Sequence, residues 1–168
     1  MADITPPQPL AAHHLREAFD CGRASMDQWF RRHALRNQES GASRINVICD
    51  PETGAIAGYV SLSAAQIERE YLLKKDQRNR PDPVPAILLG QLAVDRRYQG
   101  QGHARSLLYF ALTTAVRLSD DIGCFCVLTH PLDDGVRAFY RQFGFADLPG
   151  DPHASMAVRI MDLKQSGF

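Results

Sequence analysis

The 168-residue sequence has no apolar run approaching the ~20 residues that a membrane helix requires. Its start, "MADITPPQPL", lacks the basic-then-apolar pattern of a secretory signal. A cytoplasmic protein without membrane association is therefore expected. It has no surplus charge either: Lys plus Arg and Asp plus Glu both total 19. Net charge gives no argument for nucleic-acid binding, so any basic face must be local. Its four cysteines (Cys21, Cys49, Cys124 and Cys126) contain no C-x-x-C pair, and its six histidines contain no H-x-x-x-H pair. No metal site is expected, and reduced, packed thiols are. Cys124 and Cys126 alternate around Phe125, so a strand would put them on one face. With 45% hydrophobic and 23% charged residues, the composition is that of a folded globular protein. The length suits one domain with one core, residues 1–168.

Periodicity outlines the elements. "ASMDQWFRRHALRNQESG" places Met26, Trp29, Phe30 and His33 at helical spacing, with Ser25 as a cap and Gly41 as a stop. "RINVICD" and "AIAGYVSLSAAQI" read as strands joined by the turn "PETG". "EREYLLKKDQRNRPDPVP" reads as an exposed loop with a short helical piece. "AILLGQLAV" is nearly unbroken apolar sequence, the pattern of a strand buried on both faces. Ala104, Leu107, Leu108, Ala111, Leu112, Ala115 and Leu118 then mark a helix. "GCFCVLTHP" is another strand. Val136, Phe139, Tyr140 and Phe143 mark a second helix face, with Asp133 or Asp134 near its start. "SMAVRIMDL" closes the sheet as a last strand. Strands come first, then strands alternate with helices, which implies a mixed sheet with helices on its faces.

The most pointed segment is "RRYQGQGHARSLL", between the apolar strand and the first long helix. The first turn of a helix leaves backbone N–H groups without intrahelical acceptors, and these favour an anion. Gly100 and Gly102 remove side chains where a ligand must approach the main chain, and Arg97 adds a positive charge. The physical reading is a diphosphate cradle. The alternative is a glycine-rich turn that only joins strand to helix. Neither the P-loop Lys-Ser/Thr nor G-x-G-x-x-G is present.

Arg97-Tyr98-Gln99-Gly100-Gln101-Gly102 matches the Arg/Gln-x-x-Gly-x-Gly/Ala signature of the GNAT N-acetyltransferase superfamily. Downstream, "DDGVRAFYRQFGF" resembles that family's Asn-x-x-Ala-x-x-Phe-Tyr-x-x-x-Gly-Phe segment. Asp133 stands at the asparagine and Val136 at the alanine, while Phe139, Tyr140, Gly144 and Phe145 match. The two motifs cover residues 86–145. The resemblance implies an α/β (α+β) GNAT fold: a mixed, mostly antiparallel sheet splayed at the cofactor strand and flanked by helices. It implies acetyl-CoA as co-substrate, with its pyrophosphate on Arg97, Gly100, Gln101, Gly102, His103, Ala104 and Arg105, and Asp133 also at the cofactor. His103 replaces a small aliphatic residue, and Ala104 stands where glycine is frequent.

Nearly the whole chain also resembles the GNAT toxins that acetylate aminoacyl-tRNA, through "FDCGRASMDQWFRRHALRNQESGASR", "LGQLAVDRRYQGQGHARSLL" and "SMAVRIMDL". That branch implies an aminoacyl-tRNA substrate, a ribbon-helix-helix antitoxin partner and a homodimer. The main chain of Leu92, Ala93 and Val94 would meet the acetyl carbonyl. Tyr140 would be the general acid; the alternative is a ring that only packs, with its hydroxyl tied to a neighbour. No general base stands out, since Glu68, Glu70 and Asp76 merely lie on a polar stretch. Arg31, Arg32 and Arg36, with Lys74, Lys75, Arg78 and Arg80, form either an RNA-contacting rim or ordinary solvated surface. Arg137 and Arg141 either grip the acceptor end or pair with Asp133 or Asp134. Two other readings are an acetyltransferase of a small or protein amine, and a module that senses acetyl-CoA without catalysis.

Overall fold

The computed structural model describes residues 3–168. A short strand β1 (Gln8–Pro9) precedes helix α1 (Ala24–Trp29), a π-helical turn (Phe30–Ala34) and helix α2 (Leu35–Ser40). Strands β2 (Arg44–Cys49) and β3 (Ile56–Ile67) lead to a 3₁₀ turn (Arg69–Tyr71) and the short helix α3 (Lys74–Gln77). Strand β4 (Val84–Val94), a second 3₁₀ turn (Arg96–Tyr98) and helix α4 (His103–Leu118) follow. Strand β5 (Cys126–Thr129), helix α5 (Asp134–Arg141), strands β6 (Ala146–Asp147) and β7 (Met156–Arg159), and helix α6 (Ile160–Gln165) complete the chain. The sheet has the strand order β1-β2-β3-β4-β5-β7-β6. β4 and β5 are parallel, whereas β1–β2, β2–β3, β5–β7 and β6–β7 are antiparallel. This is the mixed, mostly antiparallel sheet with helices that the sequence implied. None of the helices among the described residues is long and apolar enough to cross a membrane.

The chain divides into two compact units, one running to Ser63 and including Gly90–Ala111, the other comprising Ala64–Leu89 and Leu112–Phe168. The core of the first gathers Phe19, Phe30, Ile45, Val47, Ile56, Tyr59 and Ala93. Tyr59 stacks on Phe30 with ring centroids 4.1 Å apart, and its hydroxyl donates to the Met26 carbonyl at 3.0 Å. The expected face of Met26, Trp29 and Phe30 is present, but His33 is exposed and Ala34 is buried instead. The wider π turn accounts for this, because it moves the inward position one residue on. Ser25 is not the cap. Arg23 occupies that position without a side-chain bond, and Asp27 bonds back from the first turn to the Cys21 amide at 3.0 Å. Gly41 does end α2, at φ +81°. The "PETG" turn closes with Gly54 N–H donating to Asp50 O at 2.8 Å.

The core of the second unit gathers Ile67, Leu72, Val84, Ala86, Cys126, Leu128 and Leu148. The β4–β5 ladder runs from Ala86 opposite Cys126 to Leu89 opposite Thr129. Beyond it β4 is not buried on both faces: Gly90 is exposed, and Gln91 and Leu92 are half-buried. The stretch read as an exposed loop holds the buried residues Leu72 and Asp76, and Arg159 reaches Asp76 at 3.2 Å. "SMAVRIMDL" is not one strand. It turns helical at Ile160, where Arg159 clasps Asp162 at 2.7 Å and Leu163 replaces the alternating position as the buried residue. Cys124 lies ahead of β5, not on its face, and donates to the Cys126 carbonyl. All four thiols are free, and burial pushes the Cys126 thiol up to about 12.

The stacked aromatics carry a stability prediction. Tyr59→Ala removes a ring that is 0% exposed and should cost about 3–5 kcal/mol, read as a lower midpoint of urea unfolding.

Candidate active site

The loop after β4 is built on Asp95, a carboxylate only 1% exposed. It starts the 3₁₀ turn by accepting the Arg97 amide at 2.9 Å, and it also accepts the Asp20 amide at 3.1 Å. The Arg97 guanidinium closes on the same carboxylate, at 3.0 Å through Nε and 3.2 Å through Nη2. Burial pushes the Asp95 carboxyl up, but the bonds from Arg97 and Asp20 outweigh it and hold it below the ordinary value. The Arg96 amide donates to Asp20 O at 2.9 Å, and Gln99 Nε2 donates to Cys21 O and Val94 O at 3.0 and 2.8 Å. The "FDCG" turn and the loop are therefore one hydrogen-bonded body. Tyr98 adds a clasp to the β2–β3 turn, its hydroxyl donating to Asp50 Oδ2 at 2.9 Å.

Gly100 and Gly102 follow at φ +77° and +86°, where side chains other than glycine are strained. A Cβ built on either would meet nothing within 4 Å. Open space thus lies over the main chain where a diphosphate would have to approach. α4 starts directly afterwards, and its first turn bond runs from Ser106 N–H to Gly102 O at 3.1 Å. The amides of His103, Ala104 and Arg105 precede it, in the turn where helix geometry supplies no acceptor. Gln101 and Arg105 are exposed, whereas His103 and Ala104 are half-buried. His103 Nε2 is buried without a hydrogen-bond partner among the described residues. The Arg97 guanidinium is clasped by Asp95 at 3.0 Å, and its side chain is 55% exposed. Leu92, Ala93 and Val94 form the end of β4, with Ala93 and Val94 buried.

In the second unit Asp133 is the residue that starts α5, its Oδ1 accepting the Val136 amide at 2.9 Å. α5 carries Tyr140, which is 5% exposed and packs its ring on Phe139 and Phe145. Burial pushes the phenol up to about 12, with its hydrogen bond to Thr129 working against the rise; the Thr129 hydroxyl hydrogen itself goes to the Leu89 carbonyl at 3.2 Å. The hydroxyl is thus protonated throughout the neutral range, on a ring that is packed and tied to Thr129. Arg137 and Arg141 both reach Asp147, at 2.7 Å each, because the chain after Gly144 turns back beside α5. Asp76 is held in its ion pair with Arg159. Glu68 and Glu70 are exposed, and the Glu68 carboxyl is raised chiefly by its hydrogen bond with Glu70.

The basic candidates divide by environment. Arg32, Arg36, Lys74, Lys75 and Arg78 are exposed. Arg31 is half-buried and donates to the Phe19 carbonyl at 2.7 Å. Arg80 lies over the Phe125 ring at 4.3 Å and donates to the Asp76 carbonyl. Arg31 and Arg80 therefore hold the chain's own structure. Asp95 was not singled out from the sequence, although an acid directly after a buried strand and two residues before Arg97 is a legible signal.

A model of the acetyltransferase (GNAT) family matches residues 11–145. A tRNA-acetylating toxin of Mycobacterium tuberculosis (strain H37Rv) is 40% identical over 135 residues, 80% of this chain and 80% of the toxin. The solved structure of AtaT complexed with acetyl-methionyl-tRNAfMet is 25% identical, with a TM-score of 0.89, covering 99% of this chain and 100% of AtaT. A crystal structure of a KacT mutant, 24% identical, has the same fold with a TM-score of 0.89 over 97% of this chain and 98% of KacT.

Asp95→Asn tests the clasp. Each lost bond to the carboxylate is worth about 1.5–3 kcal/mol, so amide exchange across residues 96–102 should quicken at least ~10-fold while that of β2 stays unchanged. The acid limit has a definite sign. Because the folded carboxyl titrates below its ordinary value, the clasp is complete above pH ~4 and is lost as pH falls further.

Proposed function

Because the chain belongs to the GNAT acetyltransferase family, we propose that it acetylates the α-amine of aminoacyl-tRNA from acetyl-CoA and so acts as a toxin that blocks translation. The observation that carries this reading is the 40% identity to a tRNA-acetylating toxin across four-fifths of both chains. Acetyl-CoA supplies an acetyl thioester when bound. The residues present fit it, since the left-handed glycines leave open main chain ahead of a helix N-terminus. Gly100, Gln101, Gly102, His103, Ala104 and Arg105 hold the diphosphate, chiefly through backbone N–H groups. Arg97 contributes by keeping the loop in shape through Asp95. The main chain of Leu92, Ala93 and Val94 stabilises charge developing on the acetyl oxygen. Tyr140 holds a proton on its hydroxyl for the departing thiolate.

The acceptor suits this chemistry. An α-amine has a pKa near ~8, far closer to neutrality than a lysine side chain. The exposed Arg32, Arg36, Lys74, Lys75 and Arg78 offer phosphate contacts to tRNA. By the same resemblance the partners are a ribbon-helix-helix antitoxin and a second copy of this chain.

Incubation with labelled acetyl-CoA and charged tRNA should place label on the aminoacyl α-amine, and deacylated tRNA should stay unlabelled. Label found only on protein or small amines would overturn the substrate. Tyr140→Phe should lower kcat by about 10²–10⁴-fold, with the acetyl-CoA dissociation constant unchanged by calorimetry. If turnover is absent in both proteins while the coenzyme binds, the chain senses acetyl-CoA and does not use it.

A further inference from the structure

A second polar cluster closes the C-terminal end of β5. His130 directly follows Thr129, the residue that hydrogen-bonds the Tyr140 phenol. His130 Nδ1 and Ser155 Oγ are 2.7 Å apart. Ser155 directly precedes β7, whose Met156 pairs with Thr129. Ser155 is 1% exposed, and its hydroxyl is hydrogen-bonded to the Asp151 carboxyl. Asp151, also buried, accepts the amides of Ser155 and His153 at 3.1 and 3.3 Å.

These contacts set the tautomer. A carboxylate only accepts, so the single hydroxyl hydrogen of Ser155 goes to Asp151. The Ser155 oxygen then accepts from His130, which puts the ring hydrogen on Nδ1. Nε2 keeps its lone pair, on a residue that is exposed. Ser155 is not a nucleophile here, because it is buried between its two partners and its hydrogen is engaged.

We propose that His130 is the general base of acetyl transfer, accepting a proton at Nε2 from the acceptor's α-ammonium, with Ser155 and Asp151 as positioning residues. The proposal rests on the aminoacyl-tRNA reading. An α-amino group with pKa near ~8 is mostly protonated at pH 7 and has no lone pair to attack with. The first N–H bond breaks as Nε2–H forms. The freed nitrogen then bonds to the thioester carbonyl carbon, and the carbon–sulfur bond breaks. Sulfur takes the Tyr140 proton, the second nitrogen proton leaves to water, and solvent restores the phenol and the neutral imidazole. One proton ends on sulfur and one in solvent.

The charged groups facing His130 are Asp151 and His153, whose ring centroid lies 5.8 Å away. Partial burial has the largest influence and holds the imidazole below its ordinary value; Asp151 works against this, and His153 adds to it. The ring is thus neutral at pH 7, and base function is lost only as pH falls through that lowered value.

The test measures kcat/KM from pH 5 to 9 with labelled acetyl-CoA and charged tRNA, for the unaltered protein, His130→Gln, His130→Ala and Ser155→Ala. His130→Gln should lower kcat/KM about 10-fold at pH 7, where about a tenth of the amine is already neutral, and move the acid limb from below pH 6.5 up to the amine's own pKa near ~8. It should recover as the amine deprotonates unaided at high pH, with coenzyme affinity unchanged. Added imidazole should partly restore His130→Ala, and Ser155→Ala should displace the acid limb with a smaller loss. An active unaltered protein with His130→Gln within twofold of it and the limb intact overturns the base. An unaltered protein inactive on charged tRNA overturns the substrate reading, and this proposal with it.

Discussion

Asp95 is the constraint on which the candidate cofactor loop depends. A carboxylate buried to 1% exposure is tolerated only when its oxygens are satisfied. Here the partners are two backbone amides, of Asp20 and Arg97, and the Arg97 guanidinium. The result joins segments 75 residues apart and sets the path of the chain into Gly100 and Gly102. A loop whose amides are to receive an anion must hold its shape before the anion arrives, because ordering it on binding would subtract from affinity. The "FDCG" turn is thus part of the candidate site although none of its side chains need touch a ligand.

β4 shows a second constraint. Up to Leu89 it is a strand in a parallel ladder, with Val84, Ala86 and Leu89 buried. From Gly90 it loses that partner, and its residues are exposed or half-buried until Ala93. The apolar run "AILLGQLAV" suggests uniform burial, yet it contains a glycine and a glutamine at the very point where the ladder stops. Ser61 takes over part of the pairing there, its hydroxyl accepting the Gln91 amide at 2.9 Å.

The legible parts of the sequence were local. Helix periodicity located α4 and α5, and turn chemistry located "PETG" and the Gly41 stop, because those patterns arise from neighbours within a few residues. The glycines of the loop and Tyr140 stood out through spaced motifs. What escaped was set by distant partners. Asp95 with Asp20, Arg137 and Arg141 with Asp147, Asp76 with Arg159, and His130 with Ser155 are pairings that no spacing encodes. β1 and β6 have two residues each, too few for alternation to register. The π turn shifted the buried position from His33 to Ala34, which a 3.6-residue period does not anticipate.

Burial has opposite effects on an acid and a base, and the second unit uses both. It raises the Tyr140 phenol to about 12 and lowers the His130 imidazole, so both are neutral at pH 7. One then has a proton to donate and the other a lone pair to accept one, the division of roles that paired titratable groups need. Four carboxylates of this unit are otherwise engaged: Asp147 by two arginines, Asp76 and Asp162 by Arg159, Asp151 by Ser155 and His153. Against the proposed tRNA acceptor, a bare carboxylate base would repel the phosphates, whereas a neutral imidazole carries no such penalty. For that proposed polyanionic substrate, whose amine is itself only weakly basic, electrostatics favours a histidine held neutral over a carboxylate.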